Sequence, residues 1–501
     1  MPLSRDLLRL ADAVLLPGFE GTTPPDWLLR RLGDGLAGVV LFSRNIASVP
    51  QVAELTAALR AENPAVLVGT DEESGEVTRL EVATGSSRPG NYAVGVVDDT
   101  ELTEALARDL GCDLAAAGVT VDFAPSSDVN SNPDNPVIGL RAFGADPDLV
   151  SRHTRAFVRG LQSAGVAACA KHFPGHGDTS VDSHHGVPVV GGEIEEALAP
   201  FAAAIDEGVR AVMTGHLLVP SHDPNAPATL SQKVLTGLLR NELGFEGMIV
   251  TDGIEMAAVS GAYGIGGASA RAIAAGADAI CVGGEHADEA TAISVRDAIA
   301  TAVADGLLPE ERLADAARRV TELAEWTVAA RARSLSGAPV AGSGSGGPGI
   351  GLDAARRALR ITRRSAAPTL PISRPAQVVE LSPEMNLAID KGTPWGVGEP
   401  LSRMLPGTAV TRLAAGEATG PALENLLQDA EDRPLVIVVR DAHRYDWQGE
   451  ALRHLLSARP DAVVVEMGLP ARTDLGSVHI ATYGSARVCG QAAAEAITGT
   501  L

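Results

Sequence analysis

Residues 167–188 read AACAKHFPGHGDTSVDSHHGVP, a short apolar run followed at once by a loop rich in glycine, proline and histidine. A short apolar run that ends in such a loop is typical of a buried β-strand. The same unit recurs over roughly the first 330 residues, with amphipathic stretches such as TELTEALARDLGCDLAAAG (100–118) between the apolar runs. This alternation of strand and helix predicts parallel strands, because each helix carries the chain back to the edge of the sheet where the strands begin.

The number of apolar runs predicts the fold class. They lie at residues 13–16, 38–42, 65–69, 120–124, 167–170, 211–214, 248–251 and 279–283. Eight strand–helix repeats predict an α/β fold of the (β/α)8 TIM-barrel type. A doubly wound open sheet is the alternative, and a glycine-rich phosphate-binding turn after the first strand would favour it. LLPGFEGTTPP (15–25) is not such a turn.

A Gly/Ser-rich stretch, SGAPVAGSGSGGPGIG (336–351), divides the chain. Its composition is typical of a flexible linker, and 501 residues are too many for one ordinary core. We therefore predict a TIM-barrel catalytic domain at 1–335, a linker at 336–352 and a smaller α/β layered domain at 353–501. In the last domain, DAARRALRITRR (353–364) predicts a helix, and RDAHRYDW (440–447) is interpreted as a surface loop.

Composition excludes several kinds of partner. Lys and Arg number 40 against 63 Asp and Glu, a formal net charge of −23, which argues against nucleic acid and anionic membranes. No apolar run approaches the roughly 20 residues of a membrane-spanning helix, and the N-terminus becomes polar too soon for a signal peptide. The four cysteines are far apart, as expected of thiols in a reducing compartment. The sequence therefore predicts a cytoplasmic protein, and we find no cofactor motif.

Polar side chains follow the predicted strands at their carboxyl ends, where TIM barrels carry their active sites. Asp122 lies within the fourth strand, and the residues that follow strands are Asp71, Asp128, Lys171, His172, His216 and Asp252. The histidines of 171–188 allow three interpretations: a metal site, an acid/base site or a solvated loop. A metal site is disfavoured, because Pro174 and Gly175 separate His172 from His176 and the first strand lacks a His-x-His motif. For acid/base chemistry, Asp182 precedes His184 by two residues, and such a carboxylate fixes the tautomer of an imidazole.

The run KHFPGHGDTSVDSHHGVP (171–188) resembles the signature of bacterial β-N-acetylglucosaminidases of glycoside hydrolase family 3. Further motifs fall in the family's order, namely GVVLFSRNI (38–46), TDEESGEVTRL (70–80), DVNSNPDNPVIGLRAFG (128–144), MTGHL (213–217) and VTDGIEM (250–256). The resemblance covers the whole barrel, and less specifically the C-terminal domain. It implies a retaining exo-β-N-acetylglucosaminidase that acts on muropeptide or chitin-type fragments, as in peptidoglycan turnover.

The resemblance also implies a role for each matching residue. Asp252 matches the nucleophile, and His184 matches the acid/base with Asp182 as its partner. The residues that match the sugar-binding set are Asp71, Arg79, Arg141, Lys171 and His172, with His216 and Met256 lining the pocket. For Asp252, an N-cap of the following helix is the alternative interpretation.

The chain departs from the family pattern at Ser74 and Glu76, where a glycine and a positive charge are usual. Two other functions stay open. An imidazole in place of a carboxylate does not repel phosphate, so phosphorolysis of β-N-acetylglucosaminides is one alternative. A non-catalytic sugar-binding barrel is the other.

Overall fold

The computed structural model describes residues 3–181, 186–192, 194–335, 349–364 and 370–501. Asp182 and His184 lie outside the described residues, as does most of the predicted linker at 336–352. The contacts divide the chain into two compact units. The second unit is built from Ser74–Asp99, Gly139–Phe143 and the described part of Gly347–Leu501, and the rest of the chain forms the first.

The described residues of the first unit contain eight parallel strands. They are β1 (Leu15–Pro17), β2 (Gly38–Leu41), β3 (Leu67–Thr70), β4 (Val121–Asp122), β5 (Ala167–Phe173), β6 (Ala211–Thr214), β7 (Met248–Thr251) and β8 (Ile280–Val282). Strands β2 to β7 are hydrogen-bonded in chain order, and β1 pairs with β8. A bridge between Val250 and Ala279 joins β7 to the start of β8. This is the strand order of a (β/α)8 barrel, and the predicted fold class is confirmed.

Helices follow most strands of the first unit. They are α1 (Arg5–Asp12), α2 (Asp26–Asp34), α3 (Val49–Glu62), α4 (Asn91–Val97, in the second unit), α5 (Thr100–Ala117), α6 (Pro147–Ser163), α7 (Glu195–Asp206), α8 (Ala257–Ala275), α9 (Glu289–Ala304) and α10 (Glu310–Leu335). A π-helical segment, Lys233–Glu242, precedes β7. Local sequence sets their ends: Asp146 accepts a hydrogen bond from the amide of Leu149, and Pro147 begins α6. None of the helices in the described ranges is both long and apolar enough to cross a membrane.

The barrel interior is filled with side chains, so the strands can present polar groups only at their ends. Inside the barrel, side chains from alternate positions of the strands form one apolar cluster, which includes Val40, Leu67, Val121, Cys169 and Met213. Close packing explains one glycine, because a Cβ on Gly69 would lie 2.7 Å from the ring of Phe123.

The second unit is a layered α/β structure, as predicted. Its strands are β9 (Arg360–Arg363), β10 (Gln377–Leu381), β11 (Ala409–Leu413), β12 (Leu435–Val439), β13 (Val463–Glu466) and β14 (Val478–Ala481). Its further helices are α11 (Ile350–Ala358), α12 (Gly398–Met404), α13 (Gly420–Asp429), α14 (Asp446–Ala458) and α15 (Arg487–Thr498). The strand order is β11-β10-β12-β13-β14-β9, with β9 antiparallel and the others parallel. Two separate apolar clusters include side chains from opposite sides of the strands.

The structure differs from the sequence-based prediction in two places. The helix predicted at 353–364 is wrong in its last part: α11 ends at Ala358, and 360–363 form edge strand β9, where Ile361 and Thr362 suit an extended backbone. The other concerns Ser74–Asp99 and Gly139–Phe143, which precede the predicted linker but belong to the second unit. Arg357 of α11, for example, pairs with Asp99 at 2.8 Å. The predicted boundary itself falls mainly outside the described residues and stays a prediction.

Candidate active site

A buried lysine organises the carboxyl ends of β3 and β5. The side chain of Lys171, in β5, is 1% exposed, and its Nζ lies 2.7 Å from Asp71 Oδ1 and 2.6 Å from Glu73 Oε1. A buried ammonium group is stable only when it is paired in this way. The Asp71 side chain is 24% exposed, so one member of the cluster meets solvent, where it can accept hydrogen bonds from a polyol.

His172, the next residue of β5, is fixed by Asp128. Its Nδ1 lies 2.8 Å from Asp128 Oδ2, and its backbone amide donates to Asp128 Oδ1 at 3.3 Å. Burial opposes ionisation of Asp128, but the charge and hydrogen bond of His172, with His176, outweigh it and hold the pKa of Asp128 below its usual value. The ionised carboxylate therefore keeps a proton on Nδ1 of His172 and sets the orientation of the ring.

His176 holds the loop that follows β5. It is buried, its Nδ1 lies 2.6 Å from Thr179 Oγ1, and its amide donates to Asp128 Oδ1 at 2.6 Å. The Nδ2 of Asn135 donates to the carbonyls of His176 and Thr179 at 2.8 and 2.9 Å. These contacts fix the loop up to Thr179, and Asp182 and His184, farther along the same loop, lie outside the described residues.

Asp252 follows β7, and the backbone on both sides of it is anchored. Its amide donates to Thr214 O at 3.2 Å, and its Oδ1 accepts from the amide of Gly253 at 2.8 Å. Nε2 of His216 donates to the carbonyl of Gly253 at 2.9 Å, while Nδ1 of the same ring lies 2.8 Å from Thr229 Oγ1. The carboxylate thus stands on a rigid support and is half-buried.

The interpretation of Asp252 as a helix cap is wrong. Helix α8 begins at Ala257, and its N-cap position is Met256, which is buried. Because four residues separate Asp252 from the first helical turn, its carboxylate does not serve that helix. A chemical role is the interpretation that stays open.

Asp71, Lys171 and Asp252 lie at the carboxyl ends of three strands of the barrel. The thiols of Cys169 in β5 and Cys281 in β8 are buried, and burial raises the pKa of both well above its usual value. Both thiols also sense the charges of Asp71, Asp252 and Lys171. Asp71 follows β3, Lys171 lies near the end of β5 and Asp252 follows β7, and because these strands are parallel their carboxyl ends lie at the same end of the barrel.

Arg79 and Arg141 belong to the second unit, and both are buried. Nη2 of Arg79 donates to the carbonyl of Ala388 at 3.1 Å. Arg141 lies in a short 3-10 turn, and its carbonyl accepts a hydrogen bond from Nδ2 of Asn91 at 2.8 Å. The predicted binding residues are therefore divided between the two units, with Asp71, Lys171, His172, His216 and Met256 on the first.

Sequence reasoning gave no role to two residues of this site. Glu73 contacts Lys171, and its spacing of two from Asp71 was the available signal, because such residues share one side of an extended chain. Asp128 lies in the loop after β4, and its partner His172 lies 44 residues farther along the chain. Only the fold brings these two side chains together.

The two residues that depart from the family pattern, Ser74 and Glu76, both belong to the second unit. Ser74 adopts a left-handed φ of 65° and forms a tight turn with Val77. Glu76 is buried, and its Oε1 accepts hydrogen bonds from the amide of Ser485 at 2.5 Å and from its hydroxyl at 3.1 Å. The carboxylate thus joins two segments of that unit.

Taken together, the fold and these contacts define a (β/α)8-barrel enzyme with carboxylate, lysine and imidazole groups at the carboxyl ends of its strands. The family model "Glycosyl hydrolase family 3 N terminal domain" matches residues 31–323. A β-hexosaminidase from Xanthomonas axonopodis pv. citri (strain 306) is 39% identical over 283 residues, 54% of this chain and 83% of the relative. β-Hexosaminidase A from Pseudoalteromonas piscicida is 36% identical over 267 residues, 48% of this chain and 44% of that relative.

Solved structures extend the likeness to both units. A family 3 β-N-acetylglucosaminidase from Paenibacillus sp. str. FPU-7 has a TM-score of 0.86 and 32% identity, covering 99% of this chain and 97% of that chain. A β-N-acetylhexosaminidase from Beutenbergia cavernae DSM 12333 has a TM-score of 0.58 and 29% identity, covering 64% of this chain and 99% of that chain. The chain belongs to glycoside hydrolase family 3 and is a glycoside hydrolase.

Proposed function

We propose that the protein is a retaining exo-β-N-acetylglucosaminidase in which Asp252 is the nucleophile and His184, paired with Asp182, is the acid/base. The observation that carries the proposal is the position of Asp252, anchored after β7 at the same end of the barrel as the Lys171–Asp71 pair. A retaining glycosidase needs a rigid carboxylate beside the anomeric carbon and a second group that gives and then takes a proton.

The first step forms a covalent intermediate. A carboxylate oxygen of Asp252 attacks C1 of the sugar, the bond from C1 to the leaving oxygen breaks, and His184 gives its proton to that oxygen. In the second step a water oxygen attacks C1, its proton passes to His184, and the carboxylate of Asp252 leaves. Asp182 holds the imidazole in the tautomer that each step needs.

The Lys171 cluster is suited to hold the sugar ring. Asp71 is the partly exposed acceptor for sugar hydroxyls, and the ion pair with Lys171 holds its carboxylate in place. His172, whose ring is oriented by Asp128, stays a predicted binding residue beside this cluster. Arg79, Arg141, His216 and Met256 stay as predicted binding residues. The names of the Paenibacillus and Xanthomonas relatives support N-acetylhexosamine as the recognised sugar. Muropeptide or chitin-type fragments stay the predicted source of that sugar.

Phosphorolysis is the second candidate, favoured by the imidazole predicted at position 184. A carboxylate at that place repels a phosphate anion at the acceptor position, whereas an imidazole does not. Phosphate would then attack C1 in place of water and release N-acetylglucosamine 1-phosphate.

The role of Asp252 is tested by the turnover of an aryl N-acetyl-β-glucosaminide by the Asp252→Ala variant. Asp305→Ala is the control, because Asp305 is exposed at the end of α9. We expect Asp252→Ala to lose at least about 1000-fold in kcat/KM and Asp305→Ala to lose none. Full activity of Asp252→Ala overturns the mechanism.

Product analysis tests the stereochemistry and the acceptor. Proton NMR of the first-formed product should show the β-anomer, and an α-anomer would contradict retention. Mass spectrometry in phosphate buffer separates the two candidates: free sugar with no effect of phosphate on the rate rejects phosphorolysis.

A further inference from the structure

The sheet of the second unit changes direction between β10 and β12. From β10 the chain moves to β11 on one side, then returns to β12 on the other side and continues through β13 and β14. In open parallel sheets, the helices that follow such neighbouring strands lie on opposite faces and leave a crevice at the carboxyl ends. This crevice is the usual ligand site of the fold class, and its first residues here are those after Leu381 and Val439.

Arg440 lies at this place. It follows β12 directly and is 6% exposed, so the interpretation of 440–447 as a surface loop is wrong at its first residue. Its Nη1 donates to the thioether Sδ of Met385, after β10, at 2.9 Å, which places the guanidinium between the two strand ends. The backbone is fixed, because Gln448 bonds both the amide and the carbonyl of Arg440, at 3.2 and 2.9 Å.

No carboxylate of the described residues forms an ion pair with Arg440, and a thioether is a weak acceptor that carries no charge. Two other arginines of this unit, by contrast, form ion pairs with glutamates. Arg412 donates to Glu380 Oε2 at 2.6 and 3.0 Å, and Arg356 donates to Glu495 at 2.8 Å. A buried guanidinium without an anionic partner is costly, unless a ligand supplies the anion.

The neighbouring acids do not supply it. Burial, and then the charge of Asp441, raise the pKa of Glu466 to about 8, so this carboxyl group is neutral at pH 7. Asp441 accepts from the amide of Leu469 at 2.7 Å and lies 4.0 Å from a second cation, Arg444. Glu384 is exposed to water. The carboxyl group of Asp441 is thus placed against Arg444, and the strand ends carry a second arginine, Arg440, whose guanidinium donates to the uncharged Met385.

We propose that the ends of β10 and β12 form an oxyanion site that takes a small ligand bearing a carboxylate or a phosphate group. Arg440 binds the anion through its planar fork in place of the contact to Met385, and Arg444 adds the second positive charge. Tyr445, whose hydroxyl donates to Glu384 O at 3.3 Å, ties the two loops together beside the site.

Methyl NMR of protein labelled with ε-13C-methionine tests the site, because the chain has only seven methionines and Met385 contacts Arg440. Inorganic phosphate and acetate are titrated separately into the full chain, with sodium chloride balancing the ionic strength. We expect the Met385 signal, assigned with Met385→Leu, to move saturably with at least one anion. The anion that saturates at the lower concentration identifies the group that the site prefers.

The same titrations are made with two variants of the site residue, Arg440→Gln and Arg440→Lys. Arg453→Gln is the control, because Arg453 is an exposed residue of α14. Arg440→Gln should raise the apparent dissociation constant at least about tenfold, and Arg453→Gln should leave it unchanged. Unmoved signals of Met213, in the barrel core, and of Met404, which packs against the core of the second unit, verify the fold. If Arg440→Gln unfolds, Arg440→Lys decides, because lysine keeps the charge but loses the fork and should bind more weakly.

Three results overturn the proposal. They are a Met385 signal that does not saturate with either anion, an Arg440→Gln variant that responds like the wild type, and an Arg440→Lys variant that binds as tightly as the wild type. The titration measures no turnover, so its outcome is independent of the proposed hydrolysis.

Discussion

Replacing Asp128 by asparagine should change the proton position on His172 while the chain stays folded. Oδ1 of Asp128 accepts from the amides of His172 and His176, and its Oδ2 accepts from Nδ1 of His172 at 2.8 Å and from Ser126 Oγ at 2.9 Å. Asparagine keeps an oxygen for the two amides but presents an N–H group to the ring. Nδ1 of His172 must then accept from that N–H group, so the ring loses the proton that it donates at Nδ1 in the wild type.

The magnitude follows from the bond that is lost. A buried hydrogen bond to a charged group contributes roughly 1.5–3 kcal/mol, so the free energy of unfolding should fall by about 2 kcal/mol. Loss of a partner that orients a functional imidazole typically costs about 10–100-fold, which we expect in kcat/KM. The pKa of Asp128 is lowered from 3.8 in the folded protein, so its contribution is full above about pH 4 and is lost as the pH falls below 3.8.

Urea unfolding at pH 6 and pH 3, with kcat/KM for an aryl N-acetyl-β-glucosaminide at pH 6, measures these effects. The control Ser126→Ala removes the other partner of Oδ2 and leaves the imidazole paired, so it should retain kcat/KM within about twofold. The reasoning is refuted if Asp128→Asn matches the wild type in both assays, or if its stability deficit is as large at pH 3 as at pH 6.

Two further outcomes are expected. Glu255→Ala should lower the free energy of unfolding by about 1–2 kcal/mol and should also lower kcat/KM. The reason is that Glu255 Oε1 accepts hydrogen bonds from the amides of Gly283, at 3.0 Å, and Gly284. Glu255→Gln keeps an acceptor oxygen and should retain both quantities in the same assays. The pKa of Glu466 is raised from 4.5 to about 8 in the folded protein, so the free energy of unfolding should fall by up to about 1.4 kcal/mol per pH unit between those two values. Glu466→Gln should flatten this slope when urea unfolding is measured across that pH range. An unchanged slope in this variant contradicts the raised pKa of Glu466.

The strands were predictable because their signal is local. The runs at 211–214 and 248–251 coincide with β6 and β7, and apolar residues bounded by turn residues carry that information in a few neighbouring positions. Edge strand β9 was missed, because RITR is short and charged and becomes a strand only by pairing with β14. The positions of Asp71, Lys171 and Asp252 at strand ends were predictable for the same reason as the strands themselves.

The sequence by itself determined the family motifs, the eight strand–helix repeats and the identity of the candidate catalytic groups. Only the tertiary structure decided which groups are partners: Glu73 with Lys171, Asp128 with His172, and Met385 with Arg440. These pairs join residues 98, 44 and 55 positions apart. Charge and hydrogen bonding act over a few ångströms, and the distance between two such residues is set by the packing of whole strands and helices, which no local pattern records.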